Sequence, residues 1–380
     1  MKKNQLVTLG KHIDILSGCA FPSSGFNRNN GVPLIRIRDI LSGKTETYYE
    51  GSYDLKYLIK KGDLLVGMDG DFNREYWKGT DALLNQRVCK ITPNPETLDK
   101  NFLYHFLQKE LDKIHATTDV VTVKHLSVKK IQGIKIRLPS LKEQKRIAAI
   151  LDKADAIRQK REQAIKLADD FLRAKFLEMF GTPANNIHRF PKGTIRDLVD
   201  SVNYGTSAKA SIDSGEYPIL RMGNITYQGR WDFTDLKYLD LSVKEKDKYL
   251  VKEGDLLFNR TNSKELVGKT AVYEEDRPMA FAGYLIRVRP NSIGNNYYIS
   301  GYLNSIHGKI TLMNMCKSIV GMANINAQEL QNIEILIPPK HLQDEYEIIY
   351  KKIKKGLSIY DKSAMQLQLL ASNLSNKYFM

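Results

Sequence analysis

Ile131-Gln132-Gly133-Ile134-Lys135-Ile136-Arg137-Leu138-Pro139 holds a short strand at 134–138 that runs into proline, and the segment after that proline decides the fold. From Leu141 to Phe180 there is neither Gly nor Pro. Ile147, Ile150, Leu151, Ala154, Ile157, Ile165, Ala168, Phe171, Leu172 and Met179 recur at threes and fours, with Lys, Arg, Asp, Glu and Gln between them. That spacing puts an apolar stripe along one side of an α-helix, and Gly181-Thr182-Pro183 supplies the stop. The same strand returns as Leu330-Gln331-Asn332-Ile333-Glu334-Ile335-Leu336-Ile337-Pro338, followed by a second stripe of Leu342, Tyr346, Ile349, Ile353, Tyr360, Leu367, Leu374 and Tyr378. Two long helices are predicted, each about 55–60 Å at 1.5 Å per residue. A helix joined to a globular domain at one end cannot bury its stripe there, so the two are expected to pair as an antiparallel coiled coil. The other solutions are a helix folded back on its own domain and a homodimer.

Two more matches recur in the same order. Val32-Pro33-Leu34-Ile35-Arg36-Ile37-Arg38-Asp39-Ile40 reads like Tyr217-Pro218-Ile219-Leu220-Arg221-Met222-Gly223-Asn224-Ile225, and Tyr57-Leu58-Ile59-Lys60-Lys61-Gly62-Asp63-Leu64-Leu65 like Tyr249-Leu250-Val251-Lys252-Glu253-Gly254-Asp255-Leu256-Leu257. A period near half the chain is too long for a solenoid, so one domain has been duplicated once. Strands are expected at 62–66, 88–91, 134–138, 254–258 and 284–288, and a modest helix at 100–114 and again at 297–313. The fold class is α+β: two similar mixed α/β globular domains at 1–140 and 182–338, with long helices at 141–181 and 339–380.

The 380 residues carry 58 Lys+Arg against 43 Asp+Glu, net +15, which makes a polyanion the first partner to consider. Both halves are basic, the first more so. With 42% apolar residues the chain is neither disordered nor too small for real cores. Cys19, Cys89 and Cys316 are far apart and odd in number, which fits a reducing cytoplasm better than disulfides or a cysteine zinc site. Met1-Lys2-Lys3-Asn4 is a basic start, but Lys11, His12 and Asp14 interrupt any signal-like apolar core, and no run approaches the roughly 18 apolar residues of a spanning helix.

For duplex DNA, phosphate contacts supply affinity and base-edge contacts supply choice. The loop after the Gly-Asp-Leu-Leu strand is the richest candidate in each half. The second-half loop offers Asn259, Arg260, Thr261, Asn262, Ser263 and Lys269: Arg suits guanine O6/N7, Asn suits adenine N6/N7, and Ser, Thr and Lys suit phosphates. The first-half loop offers Asp69, Asp71, Asn73, Arg74 and Lys78, then Asn85, Gln86 and Arg87. Its carboxylates would repel phosphate, so facing DNA they are expected to accept from cytosine N4 or to orient Arg74 and Arg87. Further candidates are Ser23 and Ser24, then Tyr204, Ser207 and Lys209, in loops that precede matching strands, and Arg36, Arg38, Arg221 and Asn224 at those strands' ends. Any one of these could instead be a solvated loop residue or a turn cap.

Enzyme signatures are mostly missing. Gly268-Lys269-Thr270 resembles the end of a phosphate loop, but Ser263 stands where that loop needs Gly. There is no glycine dinucleotide fingerprint, His-Glu-x-x-His zinc helix or Gly-x-Ser-x-Gly elbow. Asp69 and Asp71 lack a third partner for Mg²⁺, and the seven histidines are scattered. No catalytic residue and no metal site is assigned.

The duplicated Ile-x-Ile-x-Leu/Ile-Pro strand resembles the specificity subunit of Type I restriction-modification systems. So does the helix start that comes after it, Leu141-Lys142-Glu143-Gln144-Lys145-Arg146-Ile147 or Lys340-His341-Leu342-Gln343-Asp344-Glu345-Tyr346. The second copy departs from the usual Glu-Gln by having Leu342-Gln343. The resemblance covers essentially the whole chain. It implies a non-catalytic, double-stranded DNA-binding subunit whose two target recognition domains each read one half of a bipartite site, with the helix pair setting the spacer. It also implies methyltransferase subunits, two of them, docked on the helices, joined by restriction and translocase subunits. S-adenosylmethionine, ATP and Mg²⁺ would belong to those partners and none to this chain. Lys351, Lys352, Lys354 and Lys355 could then serve as partner or phosphate surface, or simply as a solvated face. The competing readings are the recognition part of a self-contained methyltransferase and a scaffold without base preference.

Overall fold

The repeated Lys-x-Gly-Asp turn shows why the two halves fold alike. In the computed structural model, which describes residues 5–118, 124–319 and 322–379, Gly62 and Gly254 stand at φ 89° and 88°, the left-handed region open to glycine. The aspartate after each one accepts from the backbone N–H three residues back: Asp63 from Lys60 and Asp255 from Lys252, both at 2.9 Å. This turn feeds a buried strand, Leu64–Gly67 or Leu256–Asn259.

That strand lies third in a four-stranded antiparallel sheet in each half. The order is Ile13–Ser17, Val88–Pro93, Leu64–Gly67, Arg74–Tyr76 in the first, and Val199–Tyr204, Leu285–Pro290, Leu256–Asn259, Thr270–Val272 in the second. A second sheet in each half carries one parallel pair, Val32–Ile35 with Ala82–Leu84 and Tyr217–Leu220 with Met279–Phe281. A two-stranded ladder joins Gln5–Thr8 to Lys135–Leu138, and Lys192–Thr194 to Glu334–Leu336. The sheets meet at matched crossings: a Cβ on Gly18 would lie 1.9 Å from the Asn85 carbonyl oxygen, and one on Gly205 2.3 Å from that of Phe281. Only glycine fits at either crossing.

The helices are α1 (Lys100–Ala116), α2 (Val128–Gly133), α3 (Leu141–Phe180), α4 (Val243–Tyr249), α5 (Asn296–Asn304), α6 (Ile306–Met315), α7 (Ala327–Gln331) and α8 (Lys340–Phe379). The helix expected at 297–313 is thus two. Ser305, in extended conformation, ends α5 and caps α6, its hydroxyl accepting from the Gly308 N–H at 3.0 Å. Short α2, α4 and α7 were not expected from the sequence pattern.

The chain divides into two compact units, Met1–Lys160 with Lys362–Met380, and Arg161–Asp361, so both long helices are shared between them. In the first unit Ile147, Ala148 and Leu151 of α3 enter the core with Leu103, Phe106 and Leu107 of α1, and Ala371 and Leu374 of α8 pack against it. Phe379, at the end of α8, lies 5.3 Å from Phe102 and 5.6 Å from Phe106. In the second unit Phe176 lies 5.3 Å from Tyr346 and 5.6 Å from Tyr298, while Asp169 and Leu172 meet Tyr350 and Leu357 around one cavity. Late α3 therefore meets early α8 and early α3 meets late α8, the antiparallel pairing. Phe171, placed in the stripe by its spacing, is instead 49% exposed, and Phe176 and Phe180 carry the burial. The side chains of Tyr360 and Tyr378, like residues Met1 to Asn4, lie outside the described residues.

Each long helix is pinned to its own globular part by one buried amide. The Gln144 side chain donates to the Thr97 and Pro139 carbonyls at 3.0 and 2.9 Å, and that of Gln343 to Ile293 and Pro338 at 3.0 and 2.8 Å. The two glutamines are 1% and 0% exposed, whereas Glu143 and Leu342 beside them are not buried. The departure from Glu-Gln in the second copy therefore spares the residue that holds the helix.

Candidate nucleic-acid interface

In the first unit the strand Ala82–Leu84 runs into a tight turn whose last residue, Arg87, has φ 74° and is exposed. Its Nε lies 3.4 Å from Asp69 Oδ2, and Asp69 Oδ1 lies 2.6 Å from His125 Nδ1. Asp69 and His125 also form an isolated antiparallel bridge. One half-buried carboxylate thus orients an exposed guanidinium and an exposed imidazole, and the guanidinium keeps N–H groups free for planar or anionic acceptors. Of the two arginines the aspartates were expected to orient, only Arg87 is held by Asp69. Arg74 sits 3.4 Å over the Tyr104 ring. Ser23, Ser24, Arg38, Asp71, Lys78 and Gln86 are exposed, and Asn73 is half-buried. Arg36 lies 5.4 Å over Phe26 and Lys78 pairs with Glu75 at 3.4 Å.

The second unit repeats the turn with Tyr284 in the place of Arg87: the Tyr284 carbonyl accepts from the Arg260 N–H at 3.0 Å, as that of Arg87 accepts from Met68 at 2.8 Å. The Arg260 guanidinium lies 4.9 Å over the exposed Tyr204 ring. Thr261–Asn262 pairs with Met322–Asn324, itself paired antiparallel with Lys317–Ile319, at the same place as the Asp69–His125 bridge. Lys209, Arg221, Met222 and Tyr284 meet around a cleft of about 580 Å³, where Arg221 is braced by Asp235 at 2.8 Å. Ser207 is exposed, and Asn262 and Ser263 are half-buried.

Five sequence candidates are enclosed by the fold or bonded within it. Asn85 accepts from the Gln86 N–H at 2.9 Å. Asn224 accepts from the Arg221 N–H at 2.8 Å and donates to the Asp232 and Asp235 carbonyls at 2.8 and 3.0 Å. Thr261 is a buried strand residue, Lys269 donates to the Met222 carbonyl at 2.8 Å, and Asn259 is fully enclosed. Lys269, bonded to its own chain, offers no phosphate-loop ammonium. Sequence reasoning also missed His125 and Tyr284: a histidine is informative only when a carboxylate faces it, and that partner lies 56 residues away. On α8, Lys351 pairs with Glu347 at 2.8 Å and Lys354 with Glu274, while Lys352 and Lys355 are exposed.

Among the described residues there is no group of three or more His, Cys, Asp or Glu placed to hold a metal ion, and no helix long and apolar enough to cross a membrane.

Residues 1–167 and 190–371 match the profile of the Type I restriction modification DNA specificity domain. The chain is similar to the Type I restriction enzyme EcoBI specificity subunit of Escherichia coli, 29% identical over 97% of this chain and 82% of that protein. It is also similar to the EcoKI specificity subunit of E. coli strain K12, 23% identical over 92% and 80%. Among solved structures, the S subunit of a Type I restriction-modification system from M. genitalium superposes with a TM-score of 0.66 at 15% identity, covering 100% of this chain and 97% of that one.

Proposed function

Because the chain belongs to the Type I restriction modification DNA specificity domain family, we propose that it reads a bipartite site on double-stranded DNA, one half-site per globular part, and performs no chemistry itself. The observation that carries this is the duplicated turn. At this turn one unit carries Arg87 with Asp69 and His125, and the other carries Arg260, in the place of Met68, with Tyr204 and with Tyr284, in the place of Arg87. Two independent readers would arise from such a duplication, and an unread spacer lies between them. Arginine serves base reading because its guanidinium can donate twice to guanine O6 and N7, worth about 1–3 kcal/mol of discrimination. Ser23, Ser24, Lys78, Ser207 and Lys209 suit phosphate contacts that fix register.

The long helices set the spacer and carry two methyltransferase subunits, which restriction and translocase subunits join. S-adenosylmethionine, ATP and Mg²⁺ belong to those partners. The test pairs two variants of the full chain, Arg87→Ala and Arg260→Ala, against duplexes altered in one half-site at a time. Each variant is expected to lose choice at one half-site and keep it at the other. Equal loss at both halves from either variant contradicts independent readers. Methylation by the purified chain alone would point to a self-contained methyltransferase.

A further inference from the structure

Within the second unit, the loop that continues from Arg260, helix α6 and late α3 line an open cavity of about 410 Å³, with Val267, Ile306, Ile310 and Met313 as its apolar wall and Arg173, Tyr227, Lys264, Glu265, Asn304 and Lys309 as its polar one. The Lys309 ammonium is shielded from solvent and has no hydrogen-bonding partner among the described residues. It faces the Tyr227 ring, with the nitrogen 4.8 Å from the ring centre. The charges that act on it, Lys269 and Arg173, are both positive, and burial with their repulsion pushes the amine down to about 8. Asn304 spends its Nδ2 on the Thr270 carbonyl at 2.9 Å and leaves Oδ1 unpaired. Arg173 has Asp170 at 2.7 Å, and Glu265 is exposed.

A shielded ammonium facing other cations is costly to fold. A tetrahedral anion with several acceptor oxygens would offset that cost, since it can accept from Lys309 and Arg173 together. We infer that this cavity is an anion site that receives a phosphate group, held by Lys309 and Arg173 with Lys264 beside them. The site itself stands on the cavity and its charges. That the phosphate belongs to a DNA backbone rests on the proposed function, through the shared loop from Arg260 to Glu265.

The experiment uses the full chain and its Lys309→Met variant, unfolded by heat in inorganic phosphate and in chloride at equal ionic strength. Phosphate is expected to raise the Tm of the wild type and not that of the variant, which stays folded because it loses an uncompensated charge. An equal response in both, or none in the wild type, overturns the site. Arg173→Gln is the second variant if Lys309→Met does not fold, with the same expectation. Duplex binding across a salt series then separates the sources. Loss of one backbone contact lowers the slope of log K against log salt by about one, which assigns the phosphate to DNA. An unchanged slope, with the phosphate response confined to the wild type, assigns it to a free anion. A chain that binds no duplex but keeps that response would overturn the DNA reading and leave the site standing.

Discussion

Gln144 and Gln343 each satisfy two backbone carbonyls where a long helix leaves its globular part. Gln144→Ala or Gln343→Ala leaves those carbonyls without their amide donor at buried or part-buried positions, and each should cost about 1–3 kcal/mol, read as a lower denaturant midpoint. Glu143→Ala, a change at an unburied neighbour, should cost much less; equal costs would show that burial is not what matters. Lys309 adds a pH signature. Its amine falls from 10.5 to about 8 on folding, so between those values the unfolded chain binds more protons and stability rises with pH. The groups around it are Lys269, Arg173, Lys264, Glu265 and Tyr227. Wild type should therefore gain on Lys309→Met as pH climbs from about 8 towards 10.5, and a constant difference across that range would contradict the shielded charge.

The elements were legible where one physical rule acted alone. The long helices declared themselves by period and by the lack of Gly and Pro, and the strands at Leu64–Gly67 and Leu256–Asn259 by the turn before them. The break at Ser305 was not legible, because apolar residues continue on both sides and the hydroxyl's capping role depends on the bend it makes. Ser305→Ala should cost about 1 kcal/mol, seen in chemical unfolding, and an unchanged midpoint would deny the cap. The candidate loop was half legible. Composition marked it as polar, but Asn259 ends a strand buried along its whole length, Thr261 pairs into a ladder and Lys269 leads into the buried strand Thr270–Val272, so these three are buried while Arg260 stays partly exposed. Pairing across sequence, as between Asp69 and His125, leaves no local trace at all.

At the scale of the whole molecule, duplication is the organising fact. Two units repeat one topology down to the glycine crossings and the buried glutamine, and each long helix contributes to both. A chain built this way offers one surface of the same topology in each unit, as the proposed reading of a split site requires. Selection of the full chain against a pool of random duplexes tests that claim most directly. The account predicts enrichment of two short words separated by a gap of fixed length and no sequence preference. Enrichment of a single uninterrupted word, or equal retention of every duplex, would contradict it.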